Sequence, residues 1–413
     1  MRLRSRLKAI PAIIYTALLV LVCISGPFHE APSDVKPLIG PAPAAEVTLS
    51  CGTYPVETTE LTAVIQSEDI SKLDSLSYLT RADFSGSSCW KEIAEWGQAH
   101  PLLELKYTVT LPDGTVLDNS AAELDLSSLG HAAAAETAEA LACLPAVTHI
   151  KLGAQSAGSD ALTLADIGAI HEACPNAELD YSLTLYGHEI NLNDSALDFR
   201  GTQISDEAAA LAEVLPLMTR CTYLDMDNTG VSNEALAKIR EQFPNIDVVW
   251  RVWFGTNYSV RTDTERILAS KPTVGGMIYD ASVLQYCTKV KYLDLGHNDE
   301  LPSIDFVRNM PELEVLIIAM TAVRDISPLE SCPKLEYLEL NSTNIADISP
   351  LKNSTGLHHL NIAGCPNIKD ISPLYGLTEL ERLWIGCDTP VPDKQVSAMK
   401  AAVPGCTINT TTD

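Results

Sequence analysis

The sequence predicts an α/β solenoid with a parallel β-sheet on its concave face and helices or irregular turns on its convex face. Two observations lead to this prediction. The pentapeptide D-I-S-P-L occurs three times, at residues 325–329, 347–351 and 370–374. Each copy follows a segment of the form L-x-x-L-x-L, in which Val or Ile sometimes replaces Leu. A fixed internal period of this length is typical of repeat architectures, in which each unit packs against its neighbours.

Five such units follow one another in the C-terminal part of the chain. They begin at Val290, Leu313, Leu335, Leu357 and Leu380, in steps of 23, 22, 22 and 23 residues. The last two apolar residues of L-x-x-L-x-L point to one side of a short strand, because side chains alternate along a strand. The D-I-S-P-L half returns the chain, where its proline requires no sheet hydrogen bond. Stacked units would therefore form a parallel sheet backed by one continuous apolar core.

These units resemble the leucine-rich repeat family, and their form is most similar to the internalin-type repeats of bacterial surface proteins. The resemblance covers residues 290–385, about a quarter of the chain. The family usually has Asn three residues after the third apolar position, where its side chain bonds the backbone along the stack. We assign this place to Thr321, Thr343 and Pro366. Threonine can make a weaker bond of this kind and proline cannot, so we expect a locally irregular turn at Pro366.

The N-terminal half repeats on a longer scale. Strand-like segments end in Phe84, Leu152, Met226 and Leu295, at spacings of 68, 74 and 69 residues. Helix-like stretches and alternating strands lie between them. We predict one continuous solenoid from about residue 51 to the end. It has irregular, helix-containing repeats over residues 51–289, followed over residues 290–413 by regular repeats of 22–23 residues with a C-terminal cap.

Local signals predict several elements of this half. Ser205 and Ser232 each precede a helical segment with acidic residues in its first turn, so both are candidate N-caps. Asp113 and Gly114 predict the turn of a β-hairpin. The segments LELKYTVTLPDG, AELDYSLTLYGH and IDVVWRVWFG alternate in hydrophobicity and predict strands.

Residues 1–25 have the pattern of an export signal or an N-terminal membrane anchor. Four basic residues and no acidic residue precede an apolar run, which is short for a membrane span. Residues 26–50 contain several prolines and predict an extended linker. We expect a secreted or cell-surface protein that contacts a membrane only through its N-terminal segment.

The formal net charge of −26 excludes a nucleic-acid-binding protein, because the phosphate backbone would repel such a chain. An anionic membrane surface would repel it for the same reason. The acidic residues are dispersed along the sequence, which favours a solvated surface. The alternative is a face that attracts a basic partner.

Six of the 11 cysteines precede a proline or a strand-like segment. This pattern predicts small buried side chains in one recurring slot, because free cysteine is among the most buried residue types. These cysteines are Cys143, Cys174, Cys221, Cys287, Cys332 and Cys365. A disulfide between Cys51 and Cys89 is left open by the sequence.

The sequence contains no motif of a known catalytic or cofactor site. It lacks G-x-S-x-G, a P-loop, G-x-G-x-x-G, H-E-x-x-H and C-x-x-C. His171 and Cys174 lack further zinc ligands at suitable spacing. His358 and His359 fit a recognition surface better than a ligand set, because no second cluster accompanies them. We therefore predict no catalytic residue, no metal and no cofactor.

The outward side chains of the strands are the candidate partner-binding residues. Tyr, Trp and Arg often anchor interfaces, and the outward pair Val315 and Ile317 predicts an exposed apolar patch. The alternative is that the aromatic side chains only pack laterally along the sheet. The candidates are Tyr223, Asp225, Tyr292, Asp294, Val315, Ile317, Tyr337, Glu339, His359, Asn361, Arg382 and Trp384.

These patterns predict an exported protein that recognises another macromolecule through its concave sheet. The expected partner is a protein, with a basic one as an option, or a surface glycan. A cell-surface hydrolase of unknown substrate and a structural spacer of the cell surface are the alternatives. A hydrolase would turn over a substrate, and a spacer would bind no saturable ligand.

Overall fold

The computed structural model describes residues 45–386 and 388–411. The predicted signal or anchor and most of the predicted linker lie outside these residues. The linker predicted over residues 26–50 extends too far, because the first strand spans Glu46–Leu49. Val47 and Leu49 of this strand are buried in the apolar core. Prolines marked the start of the linker, but nothing in the composition marked its end.

The described residues contain 23 strands, numbered here in chain order. They are β1 (Glu46–Leu49), β2 (Gly52–Pro55), β3 (Glu60–Thr62), β4 (Arg81–Asp83), β5 (Glu104–Lys106), β6 (Thr108–Thr110), β7 (Val116–Asp118), β8 (Glu123–Asp125), β9 (His149–Ala154), β10 (Glu178–Leu185), β11 (His188–Asn191), β12 (Ala196–Asp198), β13 (Tyr223–Asp225), β14 (Asp247–Val249), β15 (Arg251–Phe254), β16 (Tyr258–Arg261), β17 (Arg266–Leu268), β18 (Tyr292–Asp294), β19 (Val315–Ile317), β20 (Tyr337–Glu339), β21 (His359–Asn361), β22 (Arg382–Trp384) and β23 (Thr407–Asn409).

Helices lie in the segments that return the chain between strands. The α-helices are α1 (Ile70–Leu73), α2 (Trp90–Ala99), α3 (His131–Leu141), α4 (Leu164–Ala173), α5 (Ala209–Val214), α6 (Asn233–Gln242), α7 (Lys271–Val274) and α8 (Asp393–Ala402). The 3-10 helices are Ser67–Asp69, Leu215–Leu217, Ser282–Tyr286, Asp305–Asn309, Ser327–Ser331, Ser349–Asn353 and Ser372–Gly376. The regular C-terminal coils therefore return through short 3-10 helices, and the longer N-terminal coils return mostly through α-helices.

The parallel strands form four successive segments of sheet. Their strand orders are β3-β4-β5, β8-β9-β10, β12-β13-β14 and β17 through β23. Strands that are neighbours in each segment are also consecutive in the chain, as a solenoid requires. The predicted α/β solenoid with a parallel sheet is confirmed, and the sheet is divided where the sequence predicted continuity.

A β-hairpin precedes each parallel segment and causes the division. The four hairpins are β1-β2, β6-β7, the end of β10 with β11, and β15-β16. Asp113 and Gly114 form the turn of the second, as predicted. The last residue of each hairpin lies six positions before the central residue of the next parallel strand, and these central residues are Leu61, Leu124, Leu197 and Ile267.

A single apolar core runs through all four segments, from Val47 to Cys406. The central residues of β18, β19 and β20, namely Leu293, Leu316 and Leu338, are each 0% exposed. Leu340, which follows β20, is also 0% exposed. The prediction of coils that share one apolar spine is confirmed.

The D-I-S-P-L segment forms the start of a 3-10 helix. In the middle copy, the carboxylate of Asp347 accepts the backbone N–H of Ser349 at 2.8 Å and its hydroxyl at 3.0 Å. Pro350 lies in the first turn of the helix, where a missing N–H costs nothing. Leu351 is buried in the core. Each residue type of the repeat therefore has a separate local function.

The position three residues after the third apolar residue bonds the backbone. The hydroxyls of Thr321 and Thr343 each donate to the carbonyl oxygen three residues earlier, at 2.8 and 2.7 Å. In the next coil Cys365 occupies this position, and its thiol donates to the carbonyl oxygen of Leu340 at 3.2 Å. The assignment of this position to Pro366 was wrong by one residue. The thiol therefore also bonds the backbone, but in the preceding coil and not in its own.

Three cysteines share one structural position. Cys174, Cys287 and Cys332 are each the C-cap residue of the helix that precedes a strand, and all three are buried. Burial raises the pKa of the Cys174 and Cys332 thiols to about 11 and that of Cys287 to about 12. The prediction of one recurring slot holds for these three. It is wrong for Cys143, Cys221 and Cys365, which occupy other positions in their coils.

The structure answers the question of the Cys51–Cys89 bridge. Cys51 is exposed, Cys89 is buried, and both are free thiols. The Cys89 thiol donates instead to the carbonyl oxygen of Ile65 at 3.4 Å. Burial raises the pKa of the Cys89 thiol.

One of the two predicted N-caps is confirmed. The Ser232 hydroxyl accepts the backbone N–H of Ala235 at 3.3 Å at the start of α6. Ser205 is not an N-cap, because α5 begins only at Ala209. The carboxylate of Asp206 accepts the nearby backbone N–H groups instead, including that of Ala208 at 3.1 Å.

The buried central leucines predict a large cost of truncation. Leu338→Ala should lower the free energy of unfolding by about 3 kcal/mol, because it removes apolar contacts and leaves a cavity. Leu102→Ala is the control: Leu102 is 98% exposed, and its truncation should change stability by less than about 0.5 kcal/mol. Urea denaturation followed by circular dichroism measures both. Equal effects would contradict a shared apolar spine.

Aspartate–serine bonds predict a loss of stability in acid. Hydrogen bonds from Ser127 and Lys151 lower the pKa of Asp125 to about 2, and bonds from Ser120 lower the pKa of Asp118. An unfolded aspartate has a pKa of about 3.9. The stabilisation is complete above that value and is lost as the pH falls towards the folded pKa.

The free energy of unfolding in urea should therefore decrease between about pH 4 and pH 2. Asp125→Asn should make this decrease shallower, because asparagine does not titrate. Measurements at pH 7, 4, 3 and 2 on both proteins test the prediction. An identical pH dependence in the variant would show that Asp125 contributes nothing.

Candidate functional site

The strand register arranges the outward side chains in two rows. In β17 to β23 the first and third residues of each strand face away from the core, and each pairs with its equivalent in the next strand. We call these side chains the open face. The first row is Arg266, Tyr292, Val315, Tyr337, His359, Arg382 and Thr407, and the second is Leu268, Asp294, Ile317, Glu339, Asn361, Trp384 and Asn409.

Side chains in the middle of the open face are half-buried, because each packs against its neighbours on adjacent strands. Val315 and Ile317 are both in this state, between Tyr292 on one side and Tyr337 on the other. The predicted apolar patch therefore exists as a partly covered strip and not as two fully exposed residues. The sequence left open whether these side chains bind a partner or only pack against their neighbours. In the structure they pack against their neighbours and remain partly exposed.

Three rings form a continuous aromatic strip on adjacent strands. The ring of His359 lies 5.6 Å from that of Tyr337 and 6.4 Å from that of Trp384, measured between centroids. His359 Nε2 is 4.0 Å from the carboxylate of Glu381. His359 Nδ1 is buried and has no hydrogen-bond partner in the described residues. Packing fixes the orientation of the rings before any ligand binds.

Two arginines flank this aromatic surface. The guanidinium of Arg266 lies over the ring of Tyr292 at 4.1 Å, and that of Arg382 over the ring of Trp384 at 5.2 Å. Both arginines are exposed. Cation–π contacts at exposed sites are worth about 0.5–1 kcal/mol, which is enough to orient a long side chain. The guanidinium groups remain available to an incoming carboxylate or carbonyl.

The acidic side chains of the open face are partly engaged within the chain. Asp294 accepts the backbone N–H of Gly296 at 2.9 Å, and Glu339 accepts the hydroxyl of Tyr337. Burial and this bond to Glu339 raise the pKa of Tyr337 well above its usual range.

Tyr223 and Asp225 do not belong to the open face. They lie on β13, in the separate three-stranded segment. Asp225 is only 4% exposed, so the expectation of an outward, accessible carboxylate is wrong. Its oxygens accept Arg261 at 3.3 and 3.1 Å. The hairpin β15-β16, which the sequence did not predict, supplies this arginine.

A charge network surrounds Asp225. Asp227 is also buried and receives two hydrogen bonds from Arg251, at 3.0 and 2.9 Å. Arg261 reaches Asp227 at 3.4 Å and also pairs with Asp263. Burial opposes the charge of Arg261, but the bonds to Asp225 and Asp263 prevail and raise its pKa. The network joins the hairpin to the parallel strands.

The sequence missed the two outer strands of the open face. Arg266 and Leu268 lie on β17, and Thr407 and Asn409 lie on β23. The segment DTERILAS resembles the strand segments SAAELDLSS and DSALDFRGT, and this similarity could have revealed β17. It lacks the leading Leu of L-x-x-L-x-L, which is why the repeat alignment began at β18.

The described residues contain no group of three or more His, Cys, Asp and Glu side chains that could hold a metal ion. Across the same residues, no helix has the length and apolarity needed to cross a bilayer.

A comparison with family models identifies the repeat. The model described as leucine-rich repeats in two copies matches residues 311–353. These residues include β19, β20 and the return segments that follow them. The chain carries leucine-rich repeats. The sequence-based recognition of the repeat in the C-terminal part is confirmed.

Comparison with solved structures finds other leucine-rich repeat proteins. An internalin, InlF of Listeria monocytogenes, is 18% identical, with 87% of this chain and 85% of that one covered and a TM-score of 0.34. A leucine-rich repeat protein of Leptospira interrogans is 13% identical, with 84% and 99% covered and a TM-score of 0.34. The leucine-rich repeat of FLRT2, in a complex with Latrophilin 3 and Unc5D, is 14% identical, with 64% and 84% covered and a TM-score of 0.32. No curated protein sequence matches the chain.

The charge network predicts a large effect of a single arginine. Arg261→Ala should lower the free energy of unfolding by about 3 kcal/mol, because it leaves two buried carboxylates without their shared cation. Arg220→Ala is the matched control. Arg220 pairs with Glu178 at 3.0 Å, but both side chains are about half exposed, so its loss should cost less than about 1 kcal/mol. Urea denaturation at pH 7 compares the two variants, and similar losses would contradict a structural role of the network.

Proposed function

We propose that this chain is an exported leucine-rich repeat protein that binds a protein partner non-covalently through the open face. The observation that carries the proposal is the pair of side-chain rows across seven parallel strands. Such a face presents many side chains in fixed positions without a deep cleft. It suits recognition of a surface or an extended segment better than chemistry on a small substrate.

The residue types of the open face support a protein partner. Tyr337, Trp384 and Arg382 are of the three types that most often dominate the binding energy of interfaces. Their rings and guanidinium are already held by lateral contacts. Binding would therefore immobilise few additional rotamers, which reduces the entropy cost of association.

The charge of the chain supports a partner with basic character. The net charge is −26, and Asp294 and Glu339 place carboxylates among the aromatic residues of the open face. Long-range attraction by an acidic protein increases the rate at which a basic partner associates. The two exposed arginines would contact acidic or carbonyl groups within the same partner.

The N-terminal segment supports export. Its basic start and short apolar run are features of a secretory signal. An exported protein with a preformed binding surface would meet its partner outside the cell or at the cell surface. The proposal includes no catalytic step.

Alanine variants of the open face test the proposal. Residues 45–413 are immobilised and used to capture proteins from culture and host extracts, and the captured protein is titrated against each variant. Tyr337→Ala and Trp384→Ala should each weaken binding by about 2 kcal/mol, roughly 30-fold, because both remove an aromatic anchor. Unfolding midpoints measured in parallel show whether the fold is retained.

Tyr78→Ala serves as the control, because Tyr78 is 59% exposed and lies outside the open face. Its affinity should equal that of the unmodified protein. Unchanged affinity in both open-face variants would reject this surface as the binding site. The absence of any saturable ligand would favour a spacer, and turnover of peptidoglycan, glycan or peptide substrates would favour a hydrolase.

A further inference from the structure

The fourth hairpin, β15-β16, carries an exposed tryptophan where the other three carry threonine. Trp253 is 60% exposed, and it pairs with Ser259 across the hairpin. Counted from the start of each hairpin, the same position is occupied by Thr48, Thr110 and Thr184. A small polar strand former thus suffices at this position three times. An exposed indole contributes little to the core, so packing does not explain its presence at this position.

A cavity of about 500 Å³ lies beside this indole. It is bounded by β15, by the loops after β12 and β13 and by the start of α6. Its lining side chains include Trp253, Arg251, Gln203, Asn228, Ser232 and Asn233. This volume is in the range of small-molecule sites, which are typically several hundred Å³. The corresponding hairpin position Thr184 lines a cavity of about 230 Å³, so the larger cavity belongs to the hairpin with the tryptophan.

The side chains that line the cavity offer no unpaired charge. Arg251, its only cationic side chain, donates to Asp227 at 3.0 and 2.9 Å and to the hydroxyl of Ser259 at 3.3 Å. An anionic ligand would have to compete with Asp227 for this guanidinium. The site therefore fits a ligand without net charge.

Two side-chain amides provide hydrogen-bonding groups that the protein does not use. The amide of Asn228 makes no hydrogen bond within the described residues, and that of Gln203 donates only a long bond, 3.3 Å, to the carbonyl oxygen of Asn228. A Cβ at Gly230 would lie 3.3 Å from Gln203 Oε1, so glycine leaves that oxygen unobstructed. Each amide can both donate and accept, which matches the hydroxyl groups of a sugar.

We propose that this cavity binds a neutral oligosaccharide. The apolar C–H face of one sugar ring packs on the exposed indole of Trp253, because a tryptophan offers large apolar area at low entropy cost. Neighbouring hydroxyls exchange hydrogen bonds with the amides of Gln203 and Asn228. The site lies on the hairpin β15-β16 and the loops beside it, outside the strands β17 to β23 that form the open face. The inference does not depend on the proposed protein partner.

Isothermal titration of the full chain with neutral hexasaccharides tests the site. The probes are cellohexaose, chitohexaose and maltohexaose, with a heparin hexasaccharide as the anionic comparison. At least one neutral probe should bind saturably, and heparin should not. Trp253→Thr, which introduces the residue of the other three hairpins, should weaken that binding at least tenfold.

A second variant guards against misfolding of the first. Asn228 has a positive φ of 58°, so Asn228→Gly removes the amide without backbone strain. It should also weaken the oligosaccharide at least tenfold, while Trp384→Ala on the open face should leave this affinity unchanged. Failure of all three neutral probes to bind, equal affinity in Trp253→Thr, or binding of heparin alone would overturn the inference. None of these outcomes bears on protein capture by the open face.

Discussion

Burial of one apolar residue per strand between the neighbouring coils is the constraint on which the rest of the structure depends. A single coil cannot exclude water from its own apolar side, whereas a coil between two others buries it completely. Each such burial contributes about 1.5–3 kcal/mol. A shift of one residue along a strand would bring Tyr337 or Glu339 into the core in place of Leu338. The core therefore fixes the register, and the register determines which side chains form the open face.

The two candidate surfaces differ in how their exposed side chains are arranged. The open face distributes aromatic and charged side chains over seven strands. Its aromatic rings are held in place by ring–ring and cation–π contacts with neighbouring side chains. The cavity beside Trp253 concentrates a single exposed ring and a few amides in one place. Their arginines also differ: Arg251 and Arg261 of the hairpin are paired with Asp227, whereas Arg266 and Arg382 of the open face lie over aromatic rings.

The regular coils could be predicted from the sequence because the information is local and repeated. Leu338 and its equivalents recur at a fixed period, and Asp347 and Ser349 bond each other two residues apart. The hairpin with Asp113 and Gly114 in its turn was predicted. The other three could not be predicted, because alternating segments such as that around Val252 fit parallel and antiparallel pairing equally well. The burial of Asp225 depends on Arg261, 36 residues later, and no periodic pattern reports such a distant ion pair. The equivalence of Trp253 with Thr48, Thr110 and Thr184 depends on strand pairing, which the sequence does not reveal.

The hairpins also determine how a chain of this kind can lengthen. Each hairpin begins a run of parallel strands with the same six-residue lead into a buried central position, and the last three hairpins also end the preceding run. The hairpin and the strands that follow it therefore constitute an interchangeable cassette of roughly 63 to 73 residues, as the distances between Leu61, Leu124, Leu197 and Ile267 show. Duplicating or deleting one cassette would leave chemically equivalent junctions on both sides. The length of such a solenoid can therefore change by one cassette at a time, while the regular C-terminal coils keep their structure.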